Sequence, residues 1–188
     1  MKKLTSTCAT IILTLFFALP AFSAEKAGVI MLDTQMVGSE QLWLNGIALR
    51  EKFVFDVYVA ALYLPEKSND AGAILANDTP RMMIMHFLRD VEAKSINEAW
   101  FEGLEANVEN VTPELKAKFE QLAKMMVDIK ENESMGFTYS PTTGTEIMIA
   151  GKSMGGIPGK DFADAILATW IGPKPGPGKK FKAALLGK

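Results

Sequence analysis

Histidine and cysteine are nearly missing from this chain, with one of each. The cysteine, Cys8, sits in an N-terminal stretch that does not read as part of a fold. Lys2 and Lys3 give it a basic start, Ala9 to Leu19 form an apolar run ended by Pro20, and Ala21-Phe22-Ser23-Ala24 offers the small residues a signal peptidase requires. Residues 1–24 are therefore expected to be a signal peptide, cleaved after Ser23 or Ala24, and residues 25–188 a single domain. Cys8 precedes the apolar run, which makes it a residue discarded with the signal and not a lipid anchor. The mature chain then has no cysteine, which excludes disulfides, thiolate nucleophiles and cysteine metal sites. The expected destination is the bacterial periplasm.

Long hydrophobic runs are also missing. The N-terminal run falls short of the roughly 20 apolar residues of a membrane span. Every later run is interrupted by charge, so no transmembrane segment is expected. Without Lys2 and Lys3 the chain carries 18 basic against 22 acidic residues, a net charge of −4. No basic stripe with interleaved aromatics exists, which excludes a nucleic-acid partner. His86 alone cannot build a zinc site, and Met82, Met83 and Met85 read as core filling and not a soft-metal box. The zincin, serine-elbow and Ser-x-x-Lys hydrolase motifs are absent. Gly151 to Gly159 lacks the ending of a phosphate loop and reads as a flexible rim loop. No metal and no cofactor is expected.

What the chain has in quantity is methionine and phenylalanine, 11 of each, suited to an adaptable apolar interior. The organising stretch is Leu42 to Leu64, LWLNGIALREKFVFDVYVAALYL. It reads as two strands around a charged break at Arg50-Glu51-Lys52. Both faces of the second strand are largely apolar, so it is expected to be covered on both sides. Gly28 to Leu32 reads as a strand, Met36 to Glu40 as a turn, Ala71 to Ala76 as a short helix, and Arg81 to Leu88 as a strand beside Val57–Leu64. Ile96, Trp100 and Leu104 recur at helical spacing through Val91 to Val108, with Asp90 as N-cap. Thr112-Pro113 opens a second helix. Met135–Tyr139 and Glu146–Ala150 form a hairpin, Asp161–Ile171 a helix, residues 172–178 a stiff Gly-Pro connector, and Lys179–Leu186 a last helix. Strands, helices, strands and helices in that order make an α+β domain.

Arg50 and Tyr58 are the residues with possible chemistry. Eight residues of a continuous strand would hold them about 26 Å apart, so they meet only if the chain turns back between them. An exposed arginine at a turn and a tyrosine anchoring a strand would account for both. So would a sequestered cation and a phenol receiving an anionic head group, with the Met/Phe-rich interior taking an apolar tail.

The run Leu44-Asn45-Gly46-Ile47-Ala48-Leu49-Arg50, then Lys52-Phe53 and Val57 to Leu64, resembles the chalcone isomerase-like family in its bacterial exported branch. So do Phe87 to Val91, Asn97, Trp100 and Glu102-Gly103-Leu104. The match continues through Tyr139-x-Pro141-x-x-Gly144, the Gly151 loop, Trp170-Ile171-Gly172 and Leu185-Leu186-Gly187. The resemblance implies an open-faced β-sandwich: a large antiparallel sheet under a layer of helices, with a ligand cleft between them. It also implies one of three roles: ring closure of a chalcone as an intramolecular lyase, fatty-acid binding, or a non-catalytic role. With a gap in the following turn the family arginine falls on Arg50; without one it falls on Asn45. The arginine's tyrosine partner in fatty-acid-binding relatives falls on Tyr58 or Tyr63. The enzyme's catalytic tyrosine falls on or near Asp90, and its asparagine on Asn97. An aspartate in place of that tyrosine repels a phenolate, which speaks against flavonoid chemistry. The resemblance therefore points to a small amphipathic anion such as a fatty acid, bound through Arg50, Tyr58, Tyr63, Asn97 and Asp90. The alternatives are an isomerase-type intramolecular lyase and an interaction protein of the cell envelope.

Overall fold

The computed structural model describes residues 23–188; the expected signal sequence up to residue 22, with Cys8, lies outside them. A two-stranded ribbon, β1 (Ser23–Lys26) and β2 (Val29–Leu32), precedes the main sheet. The expected cleavage point after Ser23 or Ala24 falls within β1. The main sheet has seven strands in sequence order, each antiparallel to the next. They are β3 (Thr34–Val37), β4 (Glu40–Lys52), β5 (Phe55–Leu64), β6 (Arg81–Phe87), β7 (Ser134–Ser140), β8 (Gly144–Ile149) and β9 (Lys152–Ile157). The helices are α1 (Ala71–Ala76), α2 (Ala93–Asn107), α3 (Pro113–Met125), α4 (Lys160–Ile171) and α5 (Lys179–Leu185). This is the expected α+β architecture of one large antiparallel sheet with helices on it.

The apolar pattern divides the core in two. On the helix side Leu62, Met85, Phe137, Phe119, Leu104 and Trp170 pack together. On the opposite side Val29 and Met31 of the ribbon cover Leu42, Val59, Ala61 and Tyr63. All residues from Val59 to Leu64 are buried, as two apolar faces require. Local chemistry sets the helix starts. Asp70 Oδ1 accepts from the amides of Gly72 and Ala73 at 2.8 and 3.1 Å, opening α1. Thr112 Oγ1 accepts from Leu115 N, with Pro113 in the first turn of α3.

Four expectations are corrected. The turn between β4 and β5 lies at Phe53-Val54, beyond the charged triplet, and Arg50, Glu51 and Lys52 all pair within β4. The turn expected over Met36 to Glu40 shrinks to Gly38-Ser39: Met36 and Val37 belong to edge strand β3, and Glu40 opens β4. The Gly-rich segment 151–159 is largely β9: its backbone pairs with β8, and a register shift at Ile147/Met148 absorbs its irregularity. Asp90 does not cap α2; Asp128 does so from a distant loop, its Oδ1 accepting from Ala93 N at 2.9 Å.

Candidate functional site

The β4–β5 hairpin builds the site. Because the chain reverses at residues 53–54, Arg50 stands directly opposite Tyr58 in the ladder. A register shift follows: Glu51 pairs with Asp56, leaving Val57 as the extra residue on β5. The bulge turns both Val57 and Tyr58 toward the helix side, where they line a cavity of about 360 Å³. That volume lies within the range of small-molecule sites, about 300–1,000 Å³.

The cavity exists because α2 presents small side chains to it. Ala99, Gly103 and Ala106 face the sheet across the gap, with Ser95 one turn earlier. Gly103 is forced by the approach of α4: a Cβ there would stand 2.5 Å from Thr169 Cγ2. The floor is apolar and aromatic, with Met85, Phe87, Ile96, Trp100 and Trp170. Tyr58 packs on Phe87 and Phe181 at ring-centroid distances of 5.5 and 5.9 Å, and Trp100 meets Trp170 edge-on at 5.3 Å. The remaining wall is the Gly-Pro connector, through Lys174, Gly176 and Pro177.

Polar groups converge at one end. The Arg50 guanidinium donates one hydrogen bond from Nη1, to the Pro177 carbonyl at 3.2 Å. Among the described residues it has no carboxylate partner within ion-pair distance. Most of its donors are therefore uncommitted. Trp170 Nε1 donates to the Tyr58 hydroxyl oxygen at 3.1 Å, so the phenolic proton is left to be donated elsewhere. Burial pushes the Tyr58 phenol up to about 12; the Trp170 hydrogen bond and the Arg50 charge pull the other way without overcoming it. At neutral pH Tyr58 is a donor and not a base. Lys52 and Lys174 join Arg50 around the cavity, against the single carboxylate of Glu102. Such an end suits an anion, and the rest of the cavity suits hydrocarbon.

The structure brings two of the five expected site residues together, Arg50 and Tyr58, and sets the other three apart. Tyr63 is fully buried on the opposite face of the sheet, its hydroxyl donating to the Leu32 carbonyl at 2.9 Å. Odd and even positions of one strand face opposite ways, so 63 cannot join 58. Asn97 lies on the α3 side of α2 and donates to the Ala123 carbonyl at 3.2 Å. Asp90 is exposed outside the cavity, accepting from Lys130 Nζ and Glu131 N, both at 2.9 Å. Those bonds hold its carboxyl below the usual carboxylate range. Asn45, the other candidate for the family arginine position, is consumed structurally. It donates to the Leu185 carbonyl at 2.8 Å and accepts from Ser68 N at 2.7 Å, tying α5 to β4. Trp170, Lys174 and the small face of α2 escaped the sequence reading. The spacing of Ala99, Gly103 and Ala106 was the available signal.

A family model described as chalcone isomerase-like matches residues 23–187. The chain belongs to the chalcone isomerase-like family. A comparison with curated proteins finds no match. Among solved structures, the chain resembles a fatty-acid binding protein of Arabidopsis thaliana with a TM-score of 0.65 and 19% identity, over 88% of this chain and 96% of that one. At that identity the likeness establishes the fold alone, the chalcone isomerase-type sheet and helix layer. Within that fold, Arg50 and not Asn45 reaches the cleft of this family member.

Proposed function

We propose that this protein binds a fatty acid or a similar amphipathic carboxylate in the cavity between the sheet and α2. The carboxylate sits on Arg50 and Tyr58, and the acyl chain runs over Met85, Phe87 and Trp100. The observation that carries this reading is the cross-strand pair itself. It sets a guanidinium with no acidic partner among the described residues beside a phenol whose proton is unspent, at the head of an apolar cavity. A charge-assisted pair of donors matches the two oxygens of a carboxylate. The fatty-acid binding activity named for the Arabidopsis neighbour agrees with this chemistry. Export to the periplasm, read from residues 1–24, belongs to the same proposal. It predicts a mature N-terminus at Ala24 or Glu25 in the periplasmic fraction.

Native mass spectrometry of protein purified from the periplasm tests the ligand. An adduct with the mass of an acyl carboxylate is expected. An apo spectrum, together with no uptake of any added acyl carboxylate, contradicts the proposal. The lyase alternative predicts turnover of a chalcone in a spectrophotometric assay, with a rate that Arg50→Ala abolishes.

A further inference from the structure

The tip of the β4–β5 hairpin carries side chains that folding does not call for. Phe53 is 92% exposed, Val54 88% and Phe55 52%. Phe53 has φ of +59°, at the turn position that two-residue hairpins usually give to glycine. An aromatic residue is thus held in a strained conformation and shown almost entirely to solvent. Such breaches of local rules gather at functional positions.

The tip is also two-sided. Strand alternation puts Glu51 and its partner Asp56 on the face away from the cavity. The cavity side carries Arg50, Lys52 and Phe55, with the Arg89 guanidinium 4.3 Å over the Phe55 ring. Lys174 and Lys52 both line the cavity. Apolar tip, cationic side chains and the Arg50 end of the cavity are therefore continuous.

We propose that this tip docks the protein on an anionic lipid bilayer. Phe53 and Val54 enter the boundary of the acyl region, and Lys52, Arg89 and Lys174 meet the head groups. Size favours a bilayer over a protein partner. Two phenylalanines at about 150–250 Å² each and one valine fall short of the roughly 800 Å² per partner of a stable protein interface. Shallow insertion of about 5–10 Å into a lipid surface needs no larger patch. Docking places the Arg50 end of the cavity beside the membrane. As a route for loading the cavity, this rests on the carboxylate reading above; docking itself does not.

Co-sedimentation with unilamellar vesicles tests it, using phosphatidylglycerol mixed equally with phosphatidylcholine, and phosphatidylcholine alone. The wild type is expected to bind the mixed vesicles more tightly. Phe53→Ser/Val54→Ser should weaken that binding at least about tenfold, and Lys52→Gln about fivefold. The tip is exposed, so both variants should keep the wild-type melting temperature. The double variant should also keep the wild-type affinity for a fatty acid titrated in vesicle-free solution. No vesicle binding, or binding that the double variant retains, overturns the proposal. So does tip-dependent self-association in sedimentation velocity without vesicle binding, which would make the tip a protein contact. Vesicle binding by a protein that takes up no fatty acid in solution would uphold docking while removing the ligand reading.

Discussion

Removing Arg50 and Tyr58 singly and together gives the sharpest account of how the pair works. Arg50→Gln keeps a polar chain of similar reach but removes the charge. A hydrogen bond to a charged group is worth about 1.5–3 kcal/mol, so affinity for a carboxylate should fall by about 10- to 150-fold. The effect on folding should be small, because among the described residues the Arg50 side chain makes a single hydrogen bond, to Pro177, worth about 1 kcal/mol. Tyr58→Phe removes one donor to the ligand and leaves Trp170 Nε1 without its acceptor. That change should cost affinity by about tenfold and stability by about 1–2 kcal/mol. The two residues face each other in the ladder and would share one ligand group, so their effects should not add. A coupling of about 0.5–3 kcal/mol is expected. The assay is isothermal titration of a soluble medium-chain fatty acid near neutral pH, with denaturant melts of each variant alongside. Affinity unchanged in Arg50→Gln, or strictly additive losses in the double variant, would refute a shared carboxylate site.

Three other outcomes follow from the same geometry. The folded-state value of Tyr58 is raised from 10 to about 12, so the native state keeps a proton that the unfolded chain has lost. At about 1.4 kcal/mol per pH unit, stability should fall by at most about 3 kcal/mol as pH rises from 10 to 12, and Tyr58→Phe should flatten that slope in alkaline denaturant melts. Gly103→Ala would push a methyl to within 2.5 Å of Thr169 Cγ2, so α2 must move off α4; a loss of about 1–3 kcal/mol is expected by urea unfolding. Ala99→Phe would fill the cavity from its exposed side and should abolish fatty-acid uptake by titration, while the unfolding free energy stays within about 0.5 kcal/mol of wild type.

The sequence carried the architecture because hydrophobic periodicity dictates it. Val59 to Leu64 is apolar on both faces and is buried on both, and Thr112-Pro113 opens α3 through local chemistry alone. The site was only half legible. Parity separates Tyr58 from Tyr63, and alternation along β5 already contains that fact. The register that sets Arg50 against Tyr58 was hidden, because the turn occupies Phe53-Val54 and those residues carry no turn signal. The charged triplet before them imitated one. The cap of α2 was hidden for a different reason: Asp128 supplies it from 35 residues away, which no local rule can find. β9 was masked by its glycines, since an edge strand needs backbone pairing more than side chains.

In the proposed function, Arg50 and Tyr58 select an anionic head group on an apolar tail. Titrating wild-type protein with a fatty acid and with the fatty alcohol of equal chain length tests it most directly. Both tails fill the cavity alike, but only the acid offers charge to the guanidinium. The carboxylate should bind at least about tenfold more tightly than the alcohol. Equal affinities, or no binding of either, would contradict it.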